Sequence, residues 1–133
     1  DELKADRGVA FEAVKENWAA LQFVAHELKA DRELVFEAVK QDWRALRQHN
    51  CAANELKADR GLMLEAMRHS CEVLCFAPGE LRADREFMFE AVRKNGGALR
   101  HAADELKADR ELVFEAVRRY GRALQDAADE LKA

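Results

Sequence analysis

Polar and apolar positions recur along the chain in a fixed frame, which repeat two displays most clearly. Asp31 precedes Leu34, Val35, Ala38 and Val39, four apolar residues that share one helix face, while Glu37 and Lys40 form an i, i+3 pair on the other. Aspartate is a good N-cap, because its carboxylate accepts orphan backbone N–H groups and its charge suits the positive end of a helix. A helix is therefore predicted to open at Asp31. The same ion pairing recurs as Glu12–Lys15, Glu65–Arg68, Glu90–Arg93 and Glu115–Arg118. A second helical stripe follows each first one, written in the last repeat as Ala123, Leu124, Ala127, Ala128 and Leu131. Between the stripes, Gly96-Gly97 and Gly121 predict that the first helix closes through a left-handed glycine. Pro78-Gly79 stands where Ala103-Asp104 stands one period later, and proline disfavours helix at the residue before it, Ala77. The second helix is accordingly expected to be short, about two turns.

The frame is set by a hexapeptide, Glu-Leu-Lys-Ala-Asp-Arg, at Glu2–Arg7, Glu27–Arg32, Glu55–Arg60, Glu80–Arg85 (with Arg82 for Lys) and Glu105–Arg110, and begun again at Glu130. Its copies are 25, 28, 25, 25 and 25 residues apart, a period characteristic of stacked repeat arrays. The expected fold is all-α: a single domain over residues 1–133, an α-solenoid of about five stacked helix pairs, each touching only its neighbours. The units run 2–26, 27–54, 55–79, 80–104 and 105–129, with a further one starting at 130–133. Asp6, Asp31, Asp59, Asp84 and Asp109 open the first helices, and Leu28, Leu56, Leu81 and Leu106 plug the junctions. One continuous helix would have to carry Pro78-Gly79, Gly96-Gly97 and Gly121 in its interior, at roughly 1 kcal/mol per glycine and about 3 for proline. Its Leu-Val-Phe triplets also cover too wide an arc for a coiled-coil seam. The arginine of each hexapeptide opposes the helix dipole at the first helical position, so Arg32, Arg60, Arg85 and Arg110 are expected to pair with acidic residues of an adjacent unit.

Composition supports this reading, since isoleucine and threonine are absent and alanine and leucine dominate. Charged residues make up 36% of the chain but leave a net charge of only −4, interspersed in sign, which argues against nucleic acid as a partner. No apolar run is long enough to span a membrane. Three cysteines off the repeat period do not form a disulfide framework, and reduced thiols point to the cytosol or a soluble organellar compartment. A chain that begins and ends inside a repeat is expected to be processed or part of a longer array.

Units such as Glu27–Gln41, with their aspartate, apolar triplet, Glu-Ala pair and following Ala45-Leu46, resemble a short helical repeat known as a domain of unknown function in tandem arrays of unicellular algae and some bacteria. The resemblance covers essentially the whole chain and implies a helical-repeat interaction module with no catalytic residue to carry over. Repeats one to three depart from the pattern. Trp18, Trp43 and Cys71 replace Gly96 and Gly121, and three extra residues lie between Leu46 and Glu55.

The side chains offer little to catalysis: one serine (Ser70), one tyrosine (Tyr120), no glycine-rich phosphate loop, and carboxylates spread over an open helical surface. The chain is read as no enzyme and as needing no cofactor. His49, Cys51, His69, Cys71 and Cys75 are of zinc-binding type, but their spacing departs from Cys-x-x-Cys and structural packing is the default. Trp18 and Trp43, one period apart beside the insertion with His49, Asn50 and Asn54, are the residues expected to meet a partner. The expected function is a protein-interaction scaffold working through its first three repeats. A soluble peripheral or linker subunit of an organellar complex, photosynthetic complexes included, and a metal- or pigment-binding module are the alternatives.

Overall fold

Each long helix begins where its aspartate can accept an orphan backbone N–H. Asp6 accepts from Val9 (3.1 Å), Asp31 from Glu33 and Leu34 (3.1 and 3.2 Å), Asp59 from Leu62 (3.0 Å), Asp84 from Phe87 (3.0 Å) and Asp109 from Leu112 (3.1 Å). The helices so capped are α1 (Arg7–Glu16), α2 (Arg32–Gln41), α3 (Arg60–Ala66), α4 (Arg85–Lys94) and α5 (Arg110–Arg119). The computed structural model describes residues 6–47 and 52–132, and among them every regular element is helical.

The helix ends correct the expectation about glycine. No described residue, glycine included, has a positive φ. Instead α1, α2, α4 and α5 each leave through one extended residue, Asn17, Asp42, Asn95 or Tyr120, with φ from −153° to −159°. The side chains of Asn17, Asp42 and Asn95 then accept the backbone N–H two residues on, each at 2.9 Å. One residue thus stops a helix and caps the next segment. Gly96 lies inside that next segment and is buried. A Cβ there would sit 2.7 Å from Tyr120 Cβ and 2.9 Å from the Ala116 carbonyl oxygen, so glycine permits a close approach rather than a left-handed turn.

The rest of the repeat also differs from a pair of α-helices. The second segment is a 3₁₀ helix at Trp18–Phe23, Cys71–Phe76, Gly96–His101 and Gly121–Asp126, replaced in repeat two by a short α turn, Arg44–Arg47. The Glu-Leu-Lys of the hexapeptide belongs to a third turn of its own: His26–Ala30 and Asn54–Ala58 are 3₁₀, and Gly79–Arg82, Asp104–Lys107 and Asp129–Lys132 are α. Ahead of it the backbone is polyproline-like at Ala25, Ala53, Pro78 and Ala103, with φ between −59° and −64°. Only at Pro78 does the residue type enforce that angle.

The chain divides into two compact units, Asp1–Val73 and Leu74–Ala133. In the first, α1 packs on α2 and α2 on α3; in the second, α4 packs on α5. Val14, Leu21, Leu34, Val35, Val39, Leu46, Leu62 and Met63 form the fully buried core of the first unit. Phe87, Met88, Ala91, Val92, Leu99 and Leu112 do the same in the second. Leu28, Leu56, Leu81 and Leu106 are buried at the third turns. Those turns are joined between repeats by backbone hydrogen bonds: Ala53 N–H donates to Lys29 O (2.9 Å), Ala103 to Arg82 O (3.1 Å) and Ala128 to Lys107 O (2.8 Å). Pro78 occupies the same position and has no N–H to donate. No described helix is long and apolar enough to cross a membrane.

The two glycines therefore separate by substitution. Gly96→Ala is expected to cost about 1–3 kcal/mol through overpacking. Gly121→Ala, where an added Cβ meets nothing within 4 Å, should be neutral or slightly stabilising. Thermal melts followed by circular dichroism measure both. Equal losses at the two sites would return them to a shared backbone requirement.

Candidate interaction surface

Three of the arginines that open the long helices, Arg7, Arg32 and Arg85, reach across to the next hexapeptide. Arg7 Nε donates to Asp31 Oδ2 (2.5 Å) and its Nη2 to Glu33 Oε2 (2.6 Å). Arg85 repeats this on Asp109 Oδ2 (2.6 Å) and Glu111 Oε2 (2.9 Å). Arg32 takes both oxygens of Asp59, at 2.6 and 3.1 Å, because Gly61 stands where the second carboxylate would be. The partner is in each case the aspartate that caps the following helix, so one carboxylate answers the backbone of its own repeat and the guanidinium of the previous one. Arg110, expected to pair likewise, has no carboxylate partner among the described residues, and no further hexapeptide aspartate follows it in this sequence.

Electrostatics follow from this sharing. The Arg7 guanidinium holds the Asp31 carboxyl below the usual range, and Arg85 does the same at Asp109, both outweighing the effect of burial. At Asp59, burial pushes the carboxyl up, but Arg32 and the N–H of Leu62 together bring it below normal. The arginines are about half exposed, so each pair is screened by solvent and adds little to stability.

Stretching across the surface lays each guanidinium over the ring four residues on. Arg7 Cζ is 4.8 Å from the Phe11 centroid, Arg32 Cζ 5.9 Å from Phe36 and Arg85 Cζ 4.7 Å from Phe89. Lys40 also faces Phe36 (6.0 Å), and Arg93 faces Phe89 (5.8 Å) in place of the expected ion pair with Glu90. The expected pairs form at Glu12–Lys15, Glu37–Lys40, Glu65–Arg68 and Glu115–Arg118, at 2.9–3.7 Å. The product, within each unit, is half-exposed phenylalanine rings flanked by paired charges, with shallow depressions such as that between Arg85, Phe89, Arg93 and Glu111 in the second. Sequence reading missed these rings. The Arg-x-x-x-Phe spacing at 7/11, 32/36, 85/89 and 110/114 is their signal.

The residues singled out in the sequence fall as follows. Trp18 is half-buried; its backbone N–H donates to Gln41 Oε1 (2.9 Å), and its ring lies 5.7 Å from the Arg44 guanidinium. Trp43 is half-buried one period on. His49, Asn50 and Cys51 lie outside the described residues, and Asn54 opens a hexapeptide turn. His69 Nε2 is 3.1 Å from the carbonyl oxygen of Lys40, to which it donates. Cys75 is exposed with Sγ 3.6 Å from His101 Nδ1. Cys71 and Cys75 share a 3₁₀ helix, in which residues i and i+4 point about 120° apart. No group of three or more metal-ligating side chains occurs among the described residues.

A family model described as a domain of unknown function (DUF4116) matches at residues 6–57, 59–107 and 84–132. The chain belongs to the DUF4116 family. Each DUF4116 match spans about two hexapeptide periods, and the third starts inside the second, at the cap aspartate Asp84. No curated protein and no solved structure matches the chain.

Two expectations follow for the DUF4116 ladder. Carboxyls lowered in the folded state stabilise fully above their unfolded pKa, about 3.9, and that contribution is lost as pH falls through the folded value. The melting temperature should therefore hold level from pH 7 to about 5 and fall below about pH 4; a rise between pH 5 and 3 would contradict the ladder. Gly61→Glu should supply the missing second carboxylate to Arg32, whose flexible end is the only group a Cβ would crowd closely. The gain expected in denaturant titration is about 1 kcal/mol, from helix propensity and the acidic first turn.

Proposed function

We propose that this DUF4116 chain is a non-catalytic protein–protein interaction scaffold, an α-solenoid that holds a protein partner through its first three repeats. The observation that carries the reading is where aromatic and cationic groups concentrate when the repeat is broken. Trp18 with Arg44, and Trp43 one period on, stand where the regular repeats have Gly96 and Gly121. In the same unit Phe11 and Phe36 lie half-exposed beneath Arg7 and Arg32. Tryptophan and arginine are the side chains over-represented among residues that dominate binding energy at interfaces. Regular links between repeats within each unit, Arg to Asp and Ala N–H to carbonyl, support the solenoid. Binding rather than catalysis is favoured by the scarcity of nucleophiles and the shallowness of the depressions. A fixed stoichiometry in a purified assembly would make the scaffold a peripheral or linker subunit.

Crosslinking mass spectrometry on native material tests this. Lys15, Lys29 and Lys40 are expected to crosslink to another protein. Crosslinks confined to Lys94 and Lys107 would place the partner on the regular repeats and defeat the proposal.

A further inference from the structure

The exposed thiol of Cys75 has an imidazole within reach, His101 Nδ1 standing 3.6 Å from its Sγ. Across the same ring Arg100 Nε donates to Nε2 (3.1 Å), which leaves Nδ1 to carry the imidazole hydrogen and donate it toward the sulfur. Counted back from the hexapeptides, the other joints of the sequence place Gln22 with Cys51, Asn50 with Phe76 and Arg100 with Asp126 at these two positions, so the thiol–imidazole pair is not a product of the repeat. His101 also lines a depression of about 350 Å³, together with Arg82, Arg100, Lys107 and Asp104. Three cations against one carboxylate leave it positive on a chain whose net charge is −4, and Glu80 and Glu105, next to it in the chain, lie outside its lining. Unlike Arg7, Arg32 and Arg85, neither Arg82 nor Lys107 has a carboxylate within ion-pair distance among the described residues. Arg82 Nε is moreover buried with no hydrogen-bond partner among them. The bond from Ala103 N–H to Arg82 O (3.1 Å) ties the turn Gly79–Arg82 to the turn Asp104–Lys107 and so holds both cations on adjacent turns.

We propose that Cys75 is a modification site, which forms a mixed disulfide with small disulfides of the glutathione type whose carboxylates dock on Arg82, Arg100 and Lys107. The ligand class is set by a reachable thiol and a cationic depression that share one side chain, His101. A neutral or cationic disulfide can use the thiol but gains nothing from the depression, whereas one carrying carboxylates a few bonds from its sulfur uses both. In the exchange the Cys75 thiol gives its proton to water and its sulfur attacks one sulfur of the incoming disulfide. The reagent's S–S bond breaks as the new one forms, and the departing half leaves as a thiolate that takes a proton from water. Cys75 is oxidised and one half of the reagent is reduced, so no further oxidant is consumed. His101 acts as a positioning residue that holds the sulfur at the rim of the depression.

The test exposes the reduced 133-residue chain to glutathione disulfide, which is anionic, and separately to cystamine, which is cationic, and reads the rate at each cysteine by peptide mass mapping. Each rate is divided by that of the same cysteine in the urea-unfolded chain, which removes the intrinsic reactivity of the reagents. On this scale Cys75 is expected to favour glutathione disulfide at least about tenfold, a preference that high salt abolishes. Lys107→Gln alone should slow the glutathione disulfide reaction about threefold, and Arg82→Gln with Lys107→Gln about tenfold, while alkylation of Cys75 by neutral iodoacetamide stays unchanged. A Cys75 that reacts alike with the two disulfides overturns the proposal. So does a preference that survives the loss of both cations, and so does an equal fall in iodoacetamide alkylation, which would assign the effect to access and not to charge.

Discussion

The cap aspartate is the element on which the repeat depends, because its two carboxylate oxygens are asked for by two different parts of the chain. Oδ1 of Asp31 accepts the first backbone N–H groups of α2, and Oδ2 receives the guanidinium of Arg7 from the repeat before. Helix start and repeat register are thereby fixed at one atom pair. This also resolves why a cation can sit at the first position of α1, α2 and α4. There the arginine does not remain over its own helix end; it is drawn to the negative cap of the next.

Most of the free energy lies elsewhere. Burying Leu34, Val39, Leu46 and their counterparts contributes roughly 1.5–3 kcal/mol per side chain. An exposed ion pair contributes about 0–1 and an exposed cation–π contact about 0.5–1. The ladder therefore chooses among ways of packing the same apolar faces more than it drives the packing. Its geometry has a surface consequence, since an arginine extended far enough to reach the next repeat must lie flat over the phenylalanine four residues on.

The sequence was legible where one residue type has one physical job. Asp31 read as a cap, Leu34, Val35, Ala38 and Val39 as a buried face, and Arg32 as an inter-repeat cation, because charge and periodicity state these roles directly. It was illegible where conformation is shared by many residue types. Extended backbone at Asn17, Asp42, Asn95 and Tyr120 demands no special side chain, so the glycines beside those positions drew attention that belonged to the residue before them. Six-residue apolar stretches likewise fit α and 3₁₀ equally, and only the hydrogen bonds of Trp18–Phe23 and its counterparts distinguish them. On the candidate surface, Trp18 and Trp43 stand out by their rarity, whereas Phe11, Phe36 and Phe89 have the spacing of ordinary core residues.

The contact between Gly96 and Tyr120 sets how closely two repeats can stand at that joint. A Cβ at position 96 would meet the Cβ and backbone nitrogen of Tyr120 and the carbonyl oxygen of Ala116, atoms that shortening the side chain at 120 does not remove. The earlier repeats carry Trp18 and Trp43 at the position of Gly96, side chains that bring a Cβ where this joint has no room for one. The distance between neighbouring repeats is therefore a property of each joint and not one length copied along the array.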